Sequence, residues 1–178
     1  MKSKSHAAIS LVVAAVVLAV STPSIPAWAV VVLALGAGVG IDFDHFLIAR
    51  WRTGDWAAAR RCLRDPRIVF LAQEEIFETG DVGSFPRLLS HAVIAGVAVP
   101  ALFLWRPYVA GVVGAALYAH VLADALTPMG VTPFVPIRGR NYTVALATAS
   151  NPIANYALLV LGAVSAGGAL YLATTVSG

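Results

Sequence analysis

The sequence predicts an all-α fold, a polytopic helical membrane protein with about five transmembrane helices and a helical loop on its cytoplasmic side. Three observations carry this. Of the 178 residues only 12% are charged and 59% are hydrophobic, with a mean hydropathy of +0.82, whereas soluble domains are about one quarter charged. The apolar residues come in long blocks rather than short alternations. The cations sit in the connections between those blocks.

Residues 1–178 read as a single membrane domain with spans at approximately 7–25, 27–41, 88–105, 108–127 and 153–175. The first block, Ala7 to Val20, has fourteen residues and reaches only about 21 Å, short of the hydrocarbon core. Its span therefore extends through Ser21 to Ile25, and Pro23 and Pro26 turn the chain back. Lys2, Lys4, this block and Ala27-Trp28-Ala29 also fit a cleavable signal peptide. Cleavage would remove His6 and leave the remaining topology intact. In the second block, Gly36-x-x-x-Gly40 reads as a helix-packing pair.

The connection 42–87 is the one polar segment large enough for a cytoplasmic subdomain, and it reads as a loop lying on the membrane. Within it, Asp55 to Arg64 predicts a short basic helix, with Trp51 and Trp56 suited to the headgroup zone. Asp65-Pro66 breaks that helix. Arg67 to Glu78 resumes a helical pattern with Ile68, Leu71 and Glu75 on one face, before Gly80 and Gly83 return the chain to the membrane. The last three blocks, Leu88 to Trp105, Tyr108 to Thr127 and Ile153 to Thr175, complete the set.

Orientation follows from the cations. Lys2, Lys4, Arg50, Arg52, Arg60, Arg61, Arg64, Arg67, Arg87, Arg138 and Arg140 fall on one side of this topology, and Arg106 alone falls on the other. The positive-inside rule makes the first side cytoplasmic, with the N-terminus inside and the C-terminus outside the plasma membrane. Positioned this way, the net charge of +3 is an orientation signal, and the expected partner is the lipid bilayer rather than nucleic acid. A lone Cys62 has no disulfide partner and no second cysteine at zinc-ligand spacing.

On this topology every histidine of the chain falls at the cytoplasmic end of a span. His6 opens the first; Asp42, Asp44 and His45 close the second; His91 lies one turn inside the third; His120 and Asp124 lie near the end of the fourth. His120 and Asp124 are four apart on a helix, and Asp42 and His45 three apart, so each pair shares a face. Ionisable groups beside a span are expensive, which favours a shared polar site. Imidazole and carboxylate together suit zinc first, and manganese or iron as well. Seven donors exceed one tetrahedral shell, so either two metals bind or some residues orient the ligating imidazoles. The bland alternatives are a snorkelling histidine or a capping aspartate. The chain has no glycine-rich phosphate loop. Adjacent helix positions keep Ser90 and His91 from meeting, and Glu74 and Glu75 read as exposed surface carboxylates.

Ser5-His6, Ile41-Asp42-Phe43-Asp44-His45, Ser90-His91, and the run from Tyr118 to Val131 containing His120, Asp124, Thr127, Pro128 and Gly130 resemble the YdjM-like family of predicted membrane-bound metal-dependent hydrolases. The resemblance covers about the first 135 residues. It implies an inner-membrane helical protein with a divalent-metal site distantly similar to those of zinc phospholipases C and P1-type nucleases, and hence phosphoester hydrolysis. The family commonly carries His-Arg-Gly-x-Thr-His-Ser before the third span. Here the run is Phe85-Pro86-Arg87-Leu88-Leu89-Ser90-His91, which lacks the first histidine and the glycine and keeps Arg87 and His91.

The leading expectation is a metal-dependent hydrolase working at the cytoplasmic membrane face on a lipid or other phosphoester. Its metal donors are His6, Asp42, His45, His120 and Asp124, with Asp44 and His91 as ligands or supports, and Arg87 stabilises developing negative charge. The alternative is a non-enzymatic membrane protein with a structural metal site or a partner-docking loop. Ion conduction ranks last, because ionisable groups are nearly absent from the outer half of the spans.

Overall fold

The computed structural model describes residues 3–72, 75–82, 91, 93–126 and 151–176. Among the described residues all regular structure is helical. Helix α1 runs Ser3–Val20, α2 Ala27–Gly40, α3 Asp44–Thr53, α4 Ala57–Arg64, α5 Ile68–Leu71, α6 Val99–Trp105, α7 Pro107–Ala125 and α8 Pro152–Val176. Three helical runs among the described residues are long and apolar enough to cross a membrane: Ala27–Thr53, Pro107–Ala125 and Asn155–Thr175. Lys4–Val20 and Ile94–Trp105 are shorter apolar helices.

Helix α1 packs along α8 and against α2 and α7, and α6 packs on α7. The central contact is made by Ala14, Leu18, Val30, Ala34, Val112 and Ala116. Mostly small side chains let the backbones approach closely, the packing mode expected where lipid removes the hydrophobic drive between helices. Gly162 of α8 shows the same economy, since a Cβ there would collide with the Ala8 backbone. Outward-facing Val12, Val16, Val32, Leu104, Leu122, Val160 and Leu161 remain exposed, as lipid-facing side chains are.

The second apolar block stops at Ile41, but its helix does not. The backbone stays in the right-handed helical region through Ile41, Phe43 and Asp44, tightens to a 3₁₀ turn over Ile41–Phe43, and continues as α3. The 27-residue run from Ala27 to Thr53 is about 40 Å long, more than the hydrocarbon core requires. Asp42, Asp44 and His45 thus stand on a rigid helical extension. Gly54, at φ 81°, then ends α3 in the left-handed conformation that lacks a penalty only without a Cβ.

The basic helix predicted from Asp55 begins at Ala57, with the Asp55 carboxylate accepting the Ala57 N–H at 2.6 Å. It ends at Arg64, where Asp65 leaves the helical region. The pattern from Arg67 to Glu78 yields less helix than expected: α5 stops at Leu71 because Ala72 turns out at φ −139°. What holds this segment is a small core of Ala58, Ile68 and Ile76 flanked by Phe46, Cys62 and Phe77. Arg61 secures it by donating to the Ile76 carbonyl at 2.8 Å and pairing with Glu78.

Ahead of α6, residues Ile94–Ala98 form a π-helical segment. Pro100 supplies a reason: it has no N–H to give residue 96, and its ring would crowd that carbonyl in a regular helix. Ile41, Ala95 and Leu117 pack together beneath this widened turn.

Candidate metal centre

Four helical elements deliver the polar residues to one end of the bundle. Helix α1 brings His6, the 3₁₀ turn Asp42, the start of α3 Asp44 and His45, and α7 His120 and Asp124, while His91 comes from the chain just before the π segment. In a 3₁₀ turn side chains three apart eclipse, and Asp42 Oδ1 lies 3.7 Å from His45 Nε2. The helical spacing of His120 and Asp124 places Nε2 and Oδ2 at 3.8 Å.

The long-range geometry is what the helix bundle adds. Asp42 Oδ1 lies 3.6 Å from both His91 Nε2 and His120 Nε2. His6 Nε2 lies 3.4 Å from Asp124 Oδ1, and the His6 ring stacks on His120 with centroids 3.7 Å apart. The rings of His45 and His91 are also stacked, at 5.5 Å. His6 and His120 are each 1% exposed, whereas the side chains of Asp42 and His45 keep 21% and 13% of their surface. The cluster is therefore buried on one flank and reachable on the other.

Two of the imidazoles have their orientation set from behind. His120 Nδ1–H donates to the Gly38 carbonyl at 2.6 Å, which leaves Nε2 as the lone-pair nitrogen facing the carboxylates. His91 Nδ1–H donates to Asp44 Oδ2 at 3.0 Å, which turns His91 Nε2 toward Asp42. Such support fixes the tautomer and raises the basicity of a metal-binding imidazole.

Among the described residues, no hydrogen-bond partner reaches buried His6 Nδ1, His6 Nε2, Asp42 Oδ1 or His120 Nε2. Buried polar atoms without partners are costly. The separations near 3.6 Å between Asp42 Oδ1 and the Nε2 atoms are too long for hydrogen bonds. They are close to the edge of a tetrahedron with bonds of about 2.0–2.1 Å, about 3.3 Å. Two donor groups have ligand atoms mutually within 4.8 Å: His6, Asp42 and His120, and Asp42, His45 and His91. The residues fit a divalent metal.

All seven predicted donors are thus brought together. Arg87, Ser90 and Glu74 lie outside the described residues, and Glu75 is exposed in the loop. Sequence reasoning missed Gly38, which has no chemical side chain to mark it. It also assigned close packing to Gly36 and Gly40, whereas a Cβ at Gly36 would meet open space and one at Gly38 would collide with Ser10 Oγ. Gly38 sits two residues, or about 200°, round the helix from either. Ser5 was marked only as part of the Ser5-His6 motif and Asn155 was missed; their buried side chains share a 2.7 Å hydrogen bond that ties α1 to α8 beside His6.

The model of the YdjM inner membrane protein family matches residues 1–177, and the chain belongs to that family. Neither a curated protein nor a solved structure matches the chain.

Proposed function

We propose that this protein is a membrane-bound, metal-dependent hydrolase acting on phosphoesters at the cytoplasmic face of the membrane. The observation that carries the reading is the convergence of His6, His120 and Asp42 through buried atoms that no described residue satisfies. In this reading the site is formed by His6, Asp42, Asp44, His45, His91, His120 and Asp124. A divalent ion held there supplies the Lewis acidity that makes water nucleophilic near neutral pH and offsets charge gathering on a phosphoryl oxygen.

The remaining work belongs to the chain's own residues. Gly38 and Asp44 hold His120 and His91 in the tautomers that present Nε2. Asp42 and His45, the more exposed members, form the edge a substrate approaches. Arg87 is proposed to offset negative charge on the bound phosphoester. The one-sided distribution of basic residues supports a five-span topology with N-terminus inside, and this puts the site at headgroup depth, where lipid phosphoesters are the substrates nearest at hand.

The deep burial of His6 and His120 also favours a second reading, a structural ion in a non-enzymatic protein. Elemental analysis of detergent-purified protein, paired with hydrolysis of bis-p-nitrophenyl phosphate and phospholipid vesicles, separates them. The hydrolase reading expects bound zinc, manganese or iron, metal-dependent turnover, and loss of both in the His120→Ala/Asp124→Ala double variant. Bound metal with no turnover on any phosphoester leaves the structural reading, and absence of metal after reconstitution overturns both.

A further inference from the structure

The geometry points to two metal ions in this site, sharing the carboxylate of Asp42. The inference rests on the proposed metal-dependent reading and gives it a stoichiometry and a bridging residue.

The donors divide into two groups that meet at one atom. Asp42 Oδ1 lies 3.6 Å from His120 Nε2, 3.6 Å from His91 Nε2 and 3.7 Å from His45 Nε2. Donors to one ion with bonds of about 2.1 Å cannot be more than about 4.2 Å apart, so a single ion gathers only neighbours at such distances. The compact groups are His6, Asp42 and His120 on one side and Asp42, His45 and His91 on the other. No compact group unites the four histidines, and Asp42 is the residue common to both.

Each group has a further carboxylate at hand. Asp124 lies 3.4 Å from His6 Nε2 and 3.8 Å from His120 Nε2. Asp44 lies 3.7 Å from His45 Nε2 and binds His91 Nδ1 at 3.0 Å. Each half therefore holds two histidines, its own aspartate and a share of Asp42. The stacked pairs repeat the division, His6 on His120 and His45 on His91. One ion would engage one half only, although the two halves are matched in their side chains and joined at Asp42. Two divalent ions offset the three carboxylates and employ both halves. Asp42 is also the carboxylate placed between the halves, within 3.6–3.7 Å of a histidine nitrogen of each.

The test uses the full chain in detergent, stripped with chelator and titrated with Mn²⁺, with bound metal counted by mass spectrometry and the ions' magnetic interaction read by electron paramagnetic resonance. Two equivalents are expected in the wild type, with an exchange-coupled signal at full loading. His6→Ala and His91→Ala should each retain one equivalent and give an uncoupled signal, and Asp42→Ala should abolish coupling and weaken binding at least tenfold. A wild type saturating at one equivalent, with both single variants metal-free, overturns the two-ion site while the metal-dependent reading stands. Two equivalents without coupling overturn the bridge. A wild type that binds no Mn²⁺, Zn²⁺ or Fe²⁺ overturns the metal reading itself. Because the coupled signal is read on unaltered protein, misfolding of a variant does not remove the test.

Discussion

The imidazole of His120 and the backbone of Gly38 are joined by a 2.6 Å hydrogen bond in which Nδ1–H donates to the carbonyl oxygen. This contact across α2 and α7 decides which nitrogen of a buried histidine faces Asp42. It depends on close helix approach, because a Cβ on Gly38 would collide with the Ser10 hydroxyl, itself bonded to the His6 carbonyl.

Gly38→Ala should therefore separate α1 from α2 and disturb His6 and His120 together. Overpacking of this kind costs about 1–3 kcal/mol, and metal affinity should fall with it. Thermal unfolding in detergent and chelator competition measure the two effects. Adding Ser10→Gly should restore part of both; no recovery would show that the collision is not the cause.

Asp44 fixes His91 through a 3.0 Å hydrogen bond. Asp44→Asn keeps an acceptor of similar shape but loses the charge, and should weaken metal binding by about 10–100-fold without lowering the unfolding temperature by more than a few degrees. Unchanged affinity in a chelator titration would remove Asp44 from the site.

Ser5 and Asn155 are both buried and bonded to each other at 2.7 Å. Asn155→Ala should leave the Ser5 hydroxyl unsatisfied and cost about 1–3 kcal/mol, loosening the α1–α8 contact next to His6. The double variant Ser5→Ala/Asn155→Ala should recover part of the loss in the same unfolding assay, since it removes both polar partners.

Cys62 packs among the residues of the small loop core, and burial pushes its thiol above the ordinary value of 9.0. A raised value keeps the group as neutral thiol at neutral pH and withholds the reactive thiolate. Alkylation of the folded protein by iodoacetamide at pH 7.5 should be slower than that of a free cysteine, and its rate should go on rising with pH beyond the point at which that of a free cysteine levels off. Labelling at the free-thiol rate at pH 7.5 would contradict this environment.

On the proposed five-span topology the two ends of the chain lie on opposite faces. A C-terminal alkaline phosphatase fusion should be active and the matching green fluorescent protein fusion dark, with the reverse pattern for N-terminal-side fusions in the 42–87 loop. An active phosphatase in that loop would invert the orientation and move the proposed site to the other surface.

Much of the helical architecture was legible because membrane burial imposes a one-dimensional signal: long apolar blocks, and cations between them. The helix pairs His120/Asp124 and Asp42/His45 were legible for a similar reason, as their spacing is local. The helical continuation past Ile41 was not, because hydropathy marks where lipid ends and says nothing of where backbone hydrogen bonding ends. The shortness of α5 escaped too, since the loop is held by Ile68, Ala58 and Ile76 meeting in a core rather than by helical periodicity.

The sequence by itself determined the membrane class and marked the candidate residues: four histidines and three aspartates set at the ends of apolar blocks. Only the tertiary structure decided how those side chains group in space, which imidazole nitrogen each supported histidine presents, and that Asp42 belongs to both groups. Those are distances between different helices. They depend on how closely Gly38, Ser10, Gly162 and Ala8 let the backbones approach, and that is a property of packed surfaces rather than of position along the chain.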